Sequence, residues 1–176
     1  MPFLICPRAE LPYTLGRTSA GQKMVDVVDD FCMKYGAVVL RDHLNNYTGQ
    51  CGVDYTILSS QTGMLFDCAN FDTVIYMGDI SSAYVKMFKM KNIWRVNPDG
   101  ELRNVLSQYG GKLKYVFEMP EESFFEHYNL IKRETADNSL LEEWNQLATA
   151  LHSEIGELPF SNLWVAQQTT PLLPSN

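Results

Sequence analysis

Apolar residues first recur at helical spacing at Met24, Val25, Val27, Val28, Phe31 and Cys32, with Asp26, Asp29 and Asp30 on the other side. Thr18 or Ser19 can cap the first amides and Gly36 stops the run, so a helix is predicted over 20–35. The pattern then turns β-like. Ala37–Leu40, Val53–Leu58, Met64–Phe66 and Thr73–Met77 read as short strands, with a turn signal at Ser59–Gly63. Ser81–Lys91, with Ala83, Tyr84, Met87, Phe88, Met90 and interspersed lysines, predicts a helix. Asn97-Pro98-Asp99-Gly100 is a turn tetrad, because proline presets φ and glycine accepts a positive φ. Glu101–Tyr109 reads either as a helix ended by Gly110-Gly111 or as a strand leaving that turn.

Lys112–Met119 predicts a strand. Pro120-Glu121-Glu122 opens a helix, with proline in its first turn and acids at its positive end. A last helix runs from an Asn138 cap to about Ile155, striped by Leu140, Leu141, Trp144, Leu147 and Leu151 and ended by Gly156. Leu163–Ala166 predicts one more strand. Residues 1–17, with Pro2, Pro7 and Pro12, read as an irregular arm, and residues 167–176, with Pro171 and Pro174, as a loose tail. With no repeat or long linker, the expectation is a single domain over 1–176 of α/β (α+β) class, a mixed central sheet flanked by helices.

Composition supports a real core: 45% of the 176 residues are hydrophobic, including 9 Phe, 9 Tyr and 3 Trp. The net charge of -7 argues against broad charge-driven binding to nucleic acid, but leaves room for a nuclease with a metal-binding acidic pocket. Cys6, Cys32, Cys51 and Cys68 form no CxxC or zinc spacing, so buried free thiols are expected. No apolar run approaches the roughly 20 residues of a membrane span, and Met1–Cys6 is short and uncharged for a signal peptide. An intracellular location, in cytoplasm or host nucleus, with no secretion and no membrane partner, is the expectation.

Phosphate-loop, dinucleotide GxGxxG, HExxH and GxSxG patterns are absent from the sequence. Gln50-Cys51-Gly52 resembles three residues of the nucleophile region of papain-like proteases, without that region's second cysteine and aromatic residue; His43, His127 and His152 are the candidate bases. Acids at strand ends are the stronger pattern, since two or three converging carboxylates plus a lysine are what metal-assisted phosphodiester hydrolysis needs. In one register, Asp54 followed by Phe66-Asp67-Cys68-Ala69 resembles the core of the restriction-endonuclease-like superfamily, including Holliday-junction resolvases. Ala69 stands where that family has its lysine, leaving Lys86 or Lys89 to replace it. In a second register, His43, Asp79, Pro98-Asp99, Glu118 and Lys132 occur in the order seen in the cap-snatching endonuclease domain of segmented negative-strand RNA virus polymerases, which the chain resembles.

That resemblance implies a restriction-endonuclease-like core that cleaves RNA. His43, Asp79, Asp99 and Glu118 would hold Mn²⁺ or Mg²⁺, and Lys132 would stabilise developing charge. RNA or other polymerase subunits would be the partners. Each residue also has a plainer reading. Asp99 belongs to a turn, Glu118 is a solvated strand-end acid, Lys132 sits on an exposed helix face, His43 ends a strand and Asp79 caps a helix. Two alternatives follow. One is a catalytically degenerate relative with a structural or docking role. The other is an acidic inhibitor or immunity-type protein that meets a basic partner through acids at 26, 29, 30, 118, 121, 122 and 126.

Overall fold

In the computed structural model the described residues are 3–6, 19–41, 47–54, 70–77, 89–102, 112–134 and 136–172. Six strands form one sheet: β1 (Phe3–Cys6), β2 (Val38–Arg41), β3 (Gly52–Asp54), β4 (Asn70–Met77), β5 (Lys89–Val96) and β6 (Lys112–Phe117). Their spatial order is β3-β2-β1-β4-β5-β6. Every neighbouring pair is parallel, with Ile5 opposite both Val39 and Ile75 and Trp94 opposite Ile75 and Tyr115. Helices and a sheet combine as the sequence pattern had suggested, and among the described residues the strand pairs are all parallel. The cause is visible at Asn97–Gly100. The tetrad does turn the chain, with Gly100 at φ 62° and its amide donating to the Asn97 carbonyl at 3.2 Å. It starts a crossover to β6, however, rather than a hairpin.

Alternation along the strands explains how both faces are buried. Val39, Ile75, Met77, Trp94, Val96 and Phe117 point into one core. Val38, Leu40, Val74, Tyr76, Ile93 and Arg95 point to the other face and are equally buried. A parallel sheet needs cover on both faces, and its strands then read as continuous apolar runs. The first core is closed by α1 (Ser19–Tyr35) and α2 (Glu121–Leu130), which pack on each other. α1 ends at Gly36, whose φ of 63° is the left-handed conformation glycine adopts without strain. Between the helices sits an aromatic cluster. Phe31 meets Phe125 edge-on at 5.1 Å, and Phe117 meets Phe124 at 4.9 Å. Each such pair adds about 0.5–1.5 kcal/mol beyond its buried area.

Two further helices follow, α3 (Ser139–Glu154), which touches β3, and α4 (Asn162–Thr169), which runs into a single 3₁₀ turn at Thr170–Leu172. Four expectations change here. Phe3–Cys6 lies inside the expected irregular arm yet forms a strand in the middle of the sheet. The helix expected to reach Lys91 gives way to β5 from Lys89. Leu163–Ala166 is helical, because the Ser161 hydroxyl caps the Trp164 amide at 3.2 Å. The tail expected to be loose from 167 is helical as far as Leu172. Residues 55–60, 64–66, 81–88 and 103–109, where other elements were expected, lie outside the described residues.

Candidate ligand site at the carboxyl edge of the sheet

All six strands run the same way, so their C-terminal ends share one edge. Going outward from the centre, the chain adds β2 and β3 on one side of β1, then crosses to place β4, β5 and β6 on the other. The direction of winding therefore reverses between β1 and β4. In open α/β sheets, ligands bind at the carboxyl edge where the strand order reverses. The amino end of α1 lies at this edge, since α1 follows β1 and returns the chain to the start of β2. Its first turn carries no acidic side chain to offset the partial positive charge of the exposed amides.

The described part of this edge is best defined at β5 and β6. Arg95, near the end of β5, is completely buried. Its guanidinium grips Asp99 with two bonds, Nη1 to Oδ1 at 2.5 Å and Nη2 to Oδ2 at 2.9 Å, and Nη1 also donates to the Glu101 carbonyl at 3.1 Å. Asp99 Oδ1 accepts from the Glu101 amide at 2.8 Å, while the Asn97 side chain accepts from the Asp99 amide at 3.0 Å. The Asn97 amide in turn donates to the Phe117 carbonyl at 3.1 Å, stitching the turn to β6. The turn tetrad thus neutralises a buried cation. Glu118 lies across the same turn: a Cβ on Gly100 would stand 2.7 Å from Glu118 Oε2. Glu121 opens α2 beside them, and burial, the largest influence, holds its carboxyl above its ordinary range, with Arg95 opposing and Asp99 adding to the effect.

Of the residues expected to form a metal site, Asp99 and Glu118 are therefore neighbours, on either side of Gly100. Lys132 is not with them. α2 starts at the carboxyl edge and runs back along α1. At their far ends Tyr35 Oη donates to the Tyr128 carbonyl at 3.0 Å and Lys34 Nζ to the Asn129 carbonyl at 2.6 Å. At their near ends Lys23 bridges Glu122 and Glu126, which raise its pKa. Lys132 follows the end of α2 that lies beside Lys34 and Tyr35, and it is exposed. His43 and Asp79 lie outside the described residues, as do Lys86, Asp67 and Ala69; of Lys89 and Asp54 only the backbone is described. Among the described residues no three His, Cys, Asp or Glu side chains are grouped to hold a metal ion.

Cys51 is fully buried in the core, and His127 and His152 are exposed. Cys51's surroundings are structural. Asp29, read from the sequence as part of an acidic face, is half-buried and accepts from the amides of Gln50 and Cys51 at 3.1 and 3.3 Å and from the Tyr47 hydroxyl. Burial raises both the Tyr47 hydroxyl and the neighbouring Cys32 thiol well above their ordinary ranges. Two features escaped the sequence reading, the Arg95–Asp99 clamp and the Asp29 anchor. The available signal for the first was an arginine in step with Tyr76 and Ile93 four residues before a turn aspartate.

Comparison of the chain with family models, with characterised proteins and with solved structures gives no match in any of the three. No helix among the described residues is long and apolar enough to cross a membrane.

Proposed function

We propose that this protein binds a phosphate-bearing small molecule of the nucleotide class in the crevice between the carboxyl ends of β1 and β4. The observation that carries the reading is the reversal of strand order at that point in a wholly parallel sheet. The amino end of α1 carries no acidic side chain, which suits an anion at this edge, and the sequence between β1 and α1 contains Arg8 and Arg17. The glycine fingerprint of dinucleotide sites is missing, which favours a mononucleotide or a smaller phosphate ester.

The competing reading is the metal-dependent RNA endonuclease. Asp99 precedes Gly100 in the turn and the Glu118 carboxylate lies against Gly100, which favours it. Both Asp99 oxygens are engaged by Arg95, however, and among the described residues no three His, Cys, Asp or Glu side chains group to hold a metal ion.

One thermal-unfolding series separates the two. A ligand at 100 times its Kd stabilises the folded state by about 2.7 kcal/mol, a shift of several degrees for a domain of this size. Millimolar ATP, GTP, AMP or inorganic phosphate is expected to give such a shift without metal, and Arg8→Ala to reduce it. No shift with any of these sinks the proposal. A shift with Mn²⁺ alone, lost in Glu118→Ala, puts the endonuclease reading in its place.

A further inference from the structure

Cys32 and Cys51 are two buried nucleophilic groups that the proposed ligand site leaves unused. Both are free thiols with no exposed surface, and both belong to the core that α1 covers. Backbone bonds bring them close from the side of β2. The Cys32 carbonyl accepts from the Ala37 amide at 3.0 Å, and the Cys51 carbonyl accepts from the Val39 amide, only two residues further on, at 2.9 Å. Cys51 is also drawn to α1 directly. Its amide donates to Asp29 Oδ1 at 3.3 Å, and its Sγ lies 4.0 Å from the Asp29 carbonyl oxygen, one helical turn before Cys32. The two thiols lie within hydrogen-bonding reach of each other. Asp29 sits beside them, yet among the described residues no three such side chains converge as metal ligands.

We propose that Cys32 and Cys51 form a site of reversible oxidation, closing to a disulfide that ties α1 to the segment entering β3. The co-reactant is a small-molecule disulfide such as oxidised glutathione. One cysteine loses its proton and attacks that disulfide, releasing half of it as a thiolate, and the second cysteine displaces the other half from the mixed disulfide. The protein sulfurs lose two electrons and two protons, and the small disulfide becomes two thiols. The attacking species is a thiolate, and burial keeps the Cys32 thiol protonated. Reaction therefore waits until residues 47–51 lift away from α1, and the Asp29 bonds to Tyr47, Gln50 and Cys51 are what hold them down. Once made, the bond closes the chain between residues 32 and 51 in the unfolded state as well, so the oxidised form is the more stable one.

The test refolds the full chain from urea in a buffer of equal reduced and oxidised glutathione, so that both thiols are reachable before the fold closes. Remaining thiols are alkylated in denaturant and the chain is cleaved before its aspartates, which puts each of the four cysteines on its own peptide. The expected product is residues 30–41 joined to residues 42–53, two hydrogens lighter than the separate peptides and parted by dithiothreitol. The oxidised protein is expected to melt several degrees above the reduced one, a difference that Cys51→Ala removes. The mapping uses the wild-type chain and so does not depend on a core variant folding. Both cysteines recovered alkylated, either one recovered as its glutathione adduct, or Cys51 joined to Cys68 overturns the proposal. So does a linked form that melts no higher than the reduced chain.

Discussion

Arg95 is the residue on which the carboxyl edge depends. A guanidinium with no exposed surface is tolerable only while its charge is answered, and Asp99 answers it with two parallel bonds. Removing one member of such a pair costs more than the pair contributes, because it strands the other charge. Asp99→Ala is therefore expected to destabilise the fold by about 3 kcal/mol, read as a lower urea midpoint with unchanged slope. Glu121, nearby, gives a pH signature. Its folded pKa lies above the ordinary value of 4.5, chiefly through burial, so the folded state holds the proton more tightly than the unfolded one. Stability attributable to this group is present below the unfolded pKa and lost as pH rises through the folded one. Glu121→Gln should then stabilise the protein at neutral pH, and the gain should vanish below about pH 4. Equal gains at both pH values would refute this account.

At the scale of elements, α1 is held from both ends. Lys23 ties its first turns to α2, and Asp29 anchors the segment that leads into β3. Asp29→Ala leaves two backbone amides and a tyrosine hydroxyl without their acceptor. The expected cost is about 2 kcal/mol, with faster amide exchange at Gln50 and Cys51 than elsewhere in the core. The helices α1, α2 and α3 and the strands β2, β4 and β6 were legible in the sequence, since each carries an uninterrupted period between recognisable stops. β3 overlaps the strand expected from Val53, while β1, β5 and α4 were missed for separate reasons. β1 is four residues between prolines, too short for periodicity to speak. The lysines at 89 and 91 give the start of β5 the look of an amphipathic helix, and its buried arginine hides its end. α4 is rich in strand-forming Leu, Trp and Val, and a single capping serine outweighs them. As for the site, the pairing of Asp99 with Glu118 could be anticipated from strand ends. The distance of Lys132 could not, because it depends on the direction in which α2 returns along α1.

At the scale of the whole molecule, the proposed ligand site and the segment leading into α3 lie at opposite edges of the sheet. The proposed ligand crevice opens where strands end. The segment leading into α3 sits where they begin: the Ala136 amide donates to the Lys34 carbonyl at 3.2 Å, and a Cβ on Gly36 would collide with the Asp137 carbonyl at 2.8 Å.

The position of β1 has a consequence for how the protein is made. Residues 3–6 lie between β2 and β4, their partners beginning at Val38 on one side and Thr73 on the other. On a ribosome adding ~5–20 residues per second, this segment emerges first and waits several seconds before its second neighbour exists. Until then the half-sheet β3-β2-β1 has a bare inner edge, open to pairing with any extended chain. Slow synthesis through residues 41–77 would lengthen that exposure, so the yield of soluble protein should depend on translation speed there more than on any contact in the finished fold.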